Sequence, residues 1–214
     1  MDDGTKELRD AHDVLSEWYA ENLVGILEGM PVERAMLGLF AEMTLAVGPE
    51  VADVGCGTGR LLPYLASLGL APRGVDLSPK MVEVARRDNP GFAYEVADVR
   101  DLPYSDASLA GVVCWYSLIF LAPDAREPAF AELARIVRPG GYLVAAFKHG
   151  DGTVRRNAPG SVVEELGINF DRYWLSAREM TERFAAAGFE PVFEGSTPPV
   201  SPEPAYGYML VRKG

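Results

Sequence analysis

Apolar positions along the chain follow first a helical period and then an alternation of helix and strand. Leu8, Val14, Leu15, Trp18, Tyr19, Leu23, Ile26 and Leu27 line one face of a helix predicted over 5–28. A second helix is predicted from Pro31, which suits a first helical position, to Ala46. Gly48-Pro49 breaks that pattern, and short apolar runs then take turns with helical stretches. Strands are expected at 51–54, 71–77, 92–96, 111–116 and 142–147. Between them come a helix on Leu61, Leu62, Leu65 and Leu68, one from Ser78-Pro79 to Arg87, and one from about Pro128 to Val137. Ser176 opens a last helix to Ala187, with Glu179 at the capping-box position. Two closing strands, 189–195 and 206–212, flank a turn holding Pro198, Pro199, Pro202 and Pro204. Strands alternating with helices predict a parallel sheet covered on both faces.

The first strand ends in the densest cluster of chemistry, residues 51–60, VADVGCGTGR. Glycines at 55, 57 and 59 make a turn against which a ligand meets bare backbone, and the helix behind it favours negative or polar acceptor groups. Taken alone, such a cluster is also compatible with a tight turn that holds nothing. A dinucleotide fingerprint spaces its glycines as G-x-G-x-x-G, and here the third arrives one residue early. Downstream, Asp76 ends the second strand 19 residues beyond Gly57, near the offset at which an acidic residue meets a ribose. Asp98 follows the third strand. Asp53, Asp76 and Asp98 thus recur every 22–23 residues, one β-α unit apart, which weighs against three unrelated turn formers.

The 51–60 stretch, fitting (V/L)-x-D-(V/L)-G-C-G-T-G at nine positions, resembles the first motif of the class I S-adenosylmethionine (SAM)-dependent methyltransferases. Within them the chain looks like the small-molecule type found in ubiquinone and menaquinone biosynthesis. R-P-G-G-Y-L-V at 138–144 is a second shared feature, and Ala110 departs from the family, which commonly has an acidic residue there. The resemblance covers residues 50–147 by motif and 176–214 by layout. It implies an α/β, doubly wound, mostly parallel seven-stranded sheet with helices on both faces, an antiparallel C-terminal hairpin and, in this chain, an N-terminal helical cap. One domain is expected: a cap at 1–48, a SAM-binding core at 49–147, a lid insertion at 148–175, and the closing helix and hairpin at 176–214. The implied cofactor is SAM, giving S-adenosylhomocysteine. Asp76 would accept from its ribose, Asp98 would take the adenine amine, and the backbone at Val99 would meet a ring nitrogen. Gly55, Cys56, Gly57, Thr58 and Asp53 form the turn, Leu77 and Met81 flank the adenine, and Tyr19 would close over the cofactor. Trp115 and Tyr116, at the end of the fourth strand, are candidates for lining cofactor or acceptor. Met81 and Trp115 are equally candidates for core packing.

Composition narrows the acceptor. The 214-residue chain carries a formal net charge of −11, which opposes phosphate backbones, and Arg86-Arg87 and Arg155-Arg156 are short as basic patches. No nucleic acid or membrane partner is expected, and the polar start MDDGTKELRD reads as a cytoplasmic protein, monomeric or homodimeric. Two cysteines, Cys56 and Cys114, and two histidines leave no metal-ligand spacing. Phe170, Tyr173 and Trp174 in the expected lid favour a small, partly apolar acceptor. His149, just past the fifth strand, is the candidate general base. Two other readings stand beside the transferase: a nicotinamide-dependent oxidoreductase, and a SAM-binding protein that transfers nothing.

Overall fold

The computed structural model describes residues 1–152, 154–156, 162–199 and 205–214; Pro202 and Pro204 of the proline-rich turn, and the side chains of Arg155 and Arg156, lie outside them. In chain order the elements are α1 (Asp3–Asn22), α2 (Pro31–Leu45), β1 (Glu50–Val54), α3 (Leu62–Ser67), β2 (Ala71–Asp76), α4 (Pro79–Asp88), β3 (Tyr94–Val96), β4 (Leu109–Trp115), α5 (Pro123–Ile136), β5 (Val137–Lys148), β6 (Val154–Arg156), α6 (Val162–Glu165), β7 (Asp171–Tyr173), α7 (Ala177–Ala186), β8 (Phe189–Ser196) and β9 (Tyr206–Lys213). Seven strands form one sheet in the order β3-β2-β1-β4-β5-β9-β8, and β6 pairs with β7 apart from it. The first five are parallel, and β9 runs antiparallel to both β5 and β8. Strand order reverses between β1 and β4, so ligands are expected beyond the carboxyl ends of these two.

Period-two alternation builds the two cores. Val113, Val144 and Leu210 face α2 and α3, where they meet Leu37, Phe40 and Leu65. Val112, Leu143 and Val211 face α5 and α7, where they meet Phe130, Leu133 and Phe184. Burying such side chains stabilises the fold by about 1.5–3 kcal/mol each.

The structure departs from the periodicity in three places. The helix expected over 5–28 ends at Asn22, because Gly25 takes φ 72° and a 3-10 turn at Ile26–Gly29 follows. Helix α5 begins at Pro123, not Pro128, which sits inside it at the cost of one backbone hydrogen bond. Strand β5 begins at Val137, its R-P-G-G turn absorbed by a left-handed Gly140 and a register shift opposite Leu109–Gly111. Gly141 is needed there: a Cβ would stand 2.6 Å from the Ala110 carbonyl oxygen. Ala110 itself is fully buried, which is no place for the acidic residue common in the family.

Candidate functional site

The glycine turn leaves β1 with all three glycines left-handed, at φ 79°, 54° and 75° for Gly55, Gly57 and Gly59. Their surroundings differ. A Cβ on Gly55 would lie 2.3 Å from the Ser117 Cβ, and one on Gly59 would lie 2.6 Å from the Tyr94 hydroxyl. Both are therefore fixed by packing within the protein. A Cβ on Gly57 would meet only the Met81 sulfur, at 4.0 Å, so this is the face of the turn that a ligand can approach. Behind it the Gly55 and Cys56 amides both donate to the Val75 carbonyl, at 2.8 and 3.0 Å, which lashes the turn to the end of β2.

Asp76 closes that junction. Its Oδ2 accepts from the Gly57 amide at 2.8 Å and its Oδ1 from the Ser78 amide at 2.9 Å, each with a lone pair to spare. Burial pushes its pKa up, while the Ser78 amide, His12 and the Gly57 amide pull it down. Asp53, nearly fully buried on β1, has no hydrogen-bond partner for Oδ1. Burial pushes its pKa up to about 7, with Arg60 pulling down and Asp76 pushing up. Two acids within electrostatic reach of each other, one of them incompletely paired, suit a positively charged ligand.

Helix α1 lies over this corner. Asp13 accepts from the Ser78 hydroxyl at 2.5 Å and the Lys80 amide at 3.1 Å, while the Ser78 oxygen caps α4 at the Met81 amide. Met81 is fully buried against Ala11, Leu15 and Phe170, with Tyr19 packed alongside. Burial raises the Tyr19 phenol pKa, and Arg172, Asp76 and Arg60 are the charges that act on it. Tyr19, Asp76, Met81 and the Gly57 face are thus brought together. His12 belongs to the same group and escaped the sequence analysis. Its Nδ1 lies 2.9 Å from the Leu8 carbonyl oxygen, its ring 4.8 Å from Phe120 and 5.2 Å from Phe170, and burial depresses its pKa against Asp76. The spacing Leu8, His12, Leu15, Tyr19 on one helical face was the available signal.

Other expected residues are engaged elsewhere. Asp98 is held by Arg100, whose backbone amide and Nε reach Oδ1, both at 2.9 Å, and whose Nη2 reaches Oδ2 at 2.6 Å. Burial would raise the Asp98 pKa, but Arg100 outweighs it and holds the carboxyl low. Arg100 also reaches Asp2 and Thr5 at the start of α1, both at 2.9 Å, so the third acid is tied to the cap. Leu77 is half-buried, Thr58 is buried, and Val99 packs against the α5 core. Trp115 is buried and donates its indole N–H to Glu33 of α2 at 2.9 Å, and the Tyr116 hydroxyl donates to the same carboxylate at 2.6 Å. His149 donates its amide to the Ala205 carbonyl at 2.8 Å, and its ring stands 6.3 Å from Phe147. Arg86 bonds the Tyr94 carbonyl and Arg87 bonds Glu17 and Asp88, so that pair is spent inside the molecule. Cys56 and Cys114 are both buried free thiols, and burial pushes both pKa values up. The capping box of α7 is half made: Ser176 accepts from the Glu179 amide, but the Glu179 carboxylate turns to Arg126 and Arg183.

Residues 51–141 match the family model described as a methyltransferase domain. A malonyl-[acyl-carrier protein] O-methyltransferase from Pectobacterium atrosepticum is 31% identical over 66% of the chain and 61% of its own length. A ubiquinone biosynthesis O-methyltransferase from Thiobacillus denitrificans is 30% identical over 58% of the chain and 52% of its own length. The chain therefore spans roughly half to three fifths of the curated relatives it matches. Among solved structures, a 1,6-didemethyltoxoflavin-N1-methyltransferase from Burkholderia thailandensis superposes with TM-score 0.68, at 22% identity over 97% of this chain and 88% of that one.

Proposed function

We infer that this chain is a class I Rossmann-fold SAM-dependent methyltransferase and moves a methyl group from SAM to a small-molecule acceptor. The observation that carries this is the Asp76 carboxylate, locked by two backbone amides at the carboxyl end of β2, one strand from the switch point, with one lone pair per oxygen still free. SAM fits what surrounds it: the open face of Gly57, a buried apolar wall at Met81, and the neighbouring carboxyls of Asp53 and Asp76. When bound, SAM supplies a methyl carbon already activated by its sulfonium.

The chain's part is to grip and align. Asp76 accepts from the ribose hydroxyls, while Leu77, Met81, Val99 and Asp98 border the adenine. Cys56 and Thr58 present the turn's backbone, and Tyr19 and Arg60 face the amino-acid end. Asp53 sets the potential beneath the sulfonium. Holding acceptor, methyl and sulfur in line is worth about 7–11 kcal/mol of barrier. The chain acts as one domain, monomeric or homodimeric, with 148–175 as its lid, of which 153 and 157–161 lie outside the described residues. The acceptor is small and partly apolar, since Phe170 and Tyr173 turn inward from that segment and the acidic surface disfavours nucleic acid. No described helix is long and apolar enough to cross a membrane. Kinship with the ubiquinone and menaquinone group is the finer assignment we propose, on the relative from Thiobacillus.

Calorimetric titration of SAM and of NAD separates this reading from an oxidoreductase. Asp76→Asn should weaken SAM at least tenfold, by removing a charge-assisted acceptor worth about 1.5–3 kcal/mol. Equal affinity in the two proteins would end the assignment of the donor site. Turnover of labelled methyl donor distinguishes a transferase from a protein that only binds.

A further inference from the structure

At the carboxyl ends of β4 and β5, beside the donor corner, stands a cluster that the donor does not explain. Glu33 is buried to 2% exposure on α2, and its carboxylate accepts from Trp115 Nε1 and from the Tyr116 hydroxyl. Tyr208 of β9 packs in the same cluster, and the Tyr116 ring lies 5.7 Å from that of Tyr206. Lys148 of β5 sits over the Tyr206 ring at 4.3 Å. A carboxylate taken this far out of water is costly unless its hydrogen bonds are made, and here both oxygens are engaged.

Tyr116 is also strained. It has φ 60°, a conformation that is an outlier for so bulky a residue. Its amide is tied to the Ala146 carbonyl at 2.8 Å, and the next residue, Ser117, is the one that abuts Gly55 of the donor turn. The strained residue therefore joins the donor turn to the rim of β4 and β5. Its hydrogen bonding is directional. With its single proton committed to Glu33, the oxygen of the half-buried Tyr116 is left with lone pairs alone. That group can accept a proton but has none to give.

We propose that Tyr116 receives the proton of a neutral hydroxyl acceptor, with Glu33 as the positioning residue that takes the phenol proton onward. This rests on the methyltransferase reading and names the acceptor class: a phenol- or enol-type O–H rather than a carboxylate or phosphate, which buried Glu33 repels. The acceptor oxygen forms its bond to the methyl carbon as the carbon–sulfur bond breaks and its electron pair stays on sulfur. The acceptor proton passes to Tyr116 Oη, and the Tyr116 proton passes to Glu33. The products are methyl ether, neutral thioether and protonated Glu33, so atoms and charge balance.

The probe is 4-nitrophenol, coloured only as its phenolate, titrated optically against the protein saturated with S-adenosylhomocysteine. The groups facing Tyr116 are Glu33, Tyr206, Tyr208 and, behind Tyr206, Lys148. Wild type should bind the neutral phenol at least tenfold better than its anion, moving the probe's midpoint about one pH unit above its free value. Glu33→Gln frees the Tyr116 proton, so the preference should reverse and the midpoint fall to or below the free value. Tyr116→Phe should remove both effects. A role in packing alone predicts no such reversal. Calorimetry with S-adenosylhomocysteine is run on all three proteins. If wild type fails to bind it, the methyltransferase reading falls and this inference with it. If all three bind it and the probe fails to saturate, or its midpoint is the same in each, this inference alone is overturned.

Discussion

Asp53 offers a test in which stability and function pull in opposite directions. Its carboxyl is nearly fully buried, with one oxygen unpartnered, and burial lifts its pKa from 3.8 to about 7. An acid whose folded pKa exceeds its unfolded pKa takes up a proton on folding. The fold is then unpenalised below the unfolded pKa, loses stability as pH climbs from there toward 7, and loses no more beyond. At 1.36 kcal/mol per unit, the full penalty is about 4 kcal/mol, of which about 3 accrues between roughly pH 5 and pH 8. Asn cannot ionise, so the stability of Asp53→Asn relative to wild type should rise by about 3 kcal/mol across that interval. Any fixed cost of an unpaired amide cancels in the comparison, which makes the slope a cleaner quantity than either endpoint. Denaturant unfolding at four pH values reads it directly. For a chain of this length it is about 6–12 °C of relative melting temperature. Parallel stability curves for the two proteins would refute the reasoning, because they would mean that Asp53 ionises in the fold as it does in water. SAM affinity should show the converse, falling in Asp53→Asn at pH 8 where wild type offers the charge. A residue that destabilises the apoprotein and strengthens the donor complex is the expected signature of a binding group.

The glycine turn and the cap give two further tests. Gly55→Ala forces a Cβ to 2.3 Å from Ser117 at φ 79° and should lower stability by about 2–4 kcal/mol, whereas Gly57→Ala has space and should lose only the left-handed penalty of about 1–2 kcal/mol while weakening SAM strongly. Equal stability loss in the two variants, by chemical denaturation, would contradict the assignment of Gly57 as the ligand-facing glycine. Arg100→Gln cuts the ties from Asp98 to Asp2 and Thr5, and should raise amide exchange in the first turns of α1 at least tenfold with little change in the sheet. Unaltered exchange there would show that Asp13 and packing on α4 hold the cap unaided.

What the sequence showed and what it concealed divide by distance along the chain. The turn, the strand-ending acids and the caps of α4 and α7 are local: Ser78 caps Met81 three residues on, and Asp76 reaches Gly57 within one β-α unit. The parallel strands follow from the same spacing, while the seven-stranded count and the antiparallel hairpin came with the family resemblance. Helix ends were harder, since Gly25 stops a continuous apolar stripe by backbone conformation and Pro128 fails to stop α5 because one lost bond is outweighed by the buried Phe130 and Leu133. Concealed altogether were pairings across long separations. Glu33 meets Trp115 and Tyr116 from 82 and 83 residues away, and Arg100 meets Asp2 across 98. Glu33 reads in sequence as an ordinary acidic residue in the first turn of a helix, where the dipole favours it. Only the docking of α2 on the sheet turns it into a buried base beneath a strained tyrosine. The donor half of such a site repeats one local motif and is legible, while the acceptor half is assembled from whatever the helices bring to the rim. Chemistry that distinguishes one transferase from another is therefore to be sought in tertiary pairings such as Glu33–Tyr116, not in the glycine turn they share.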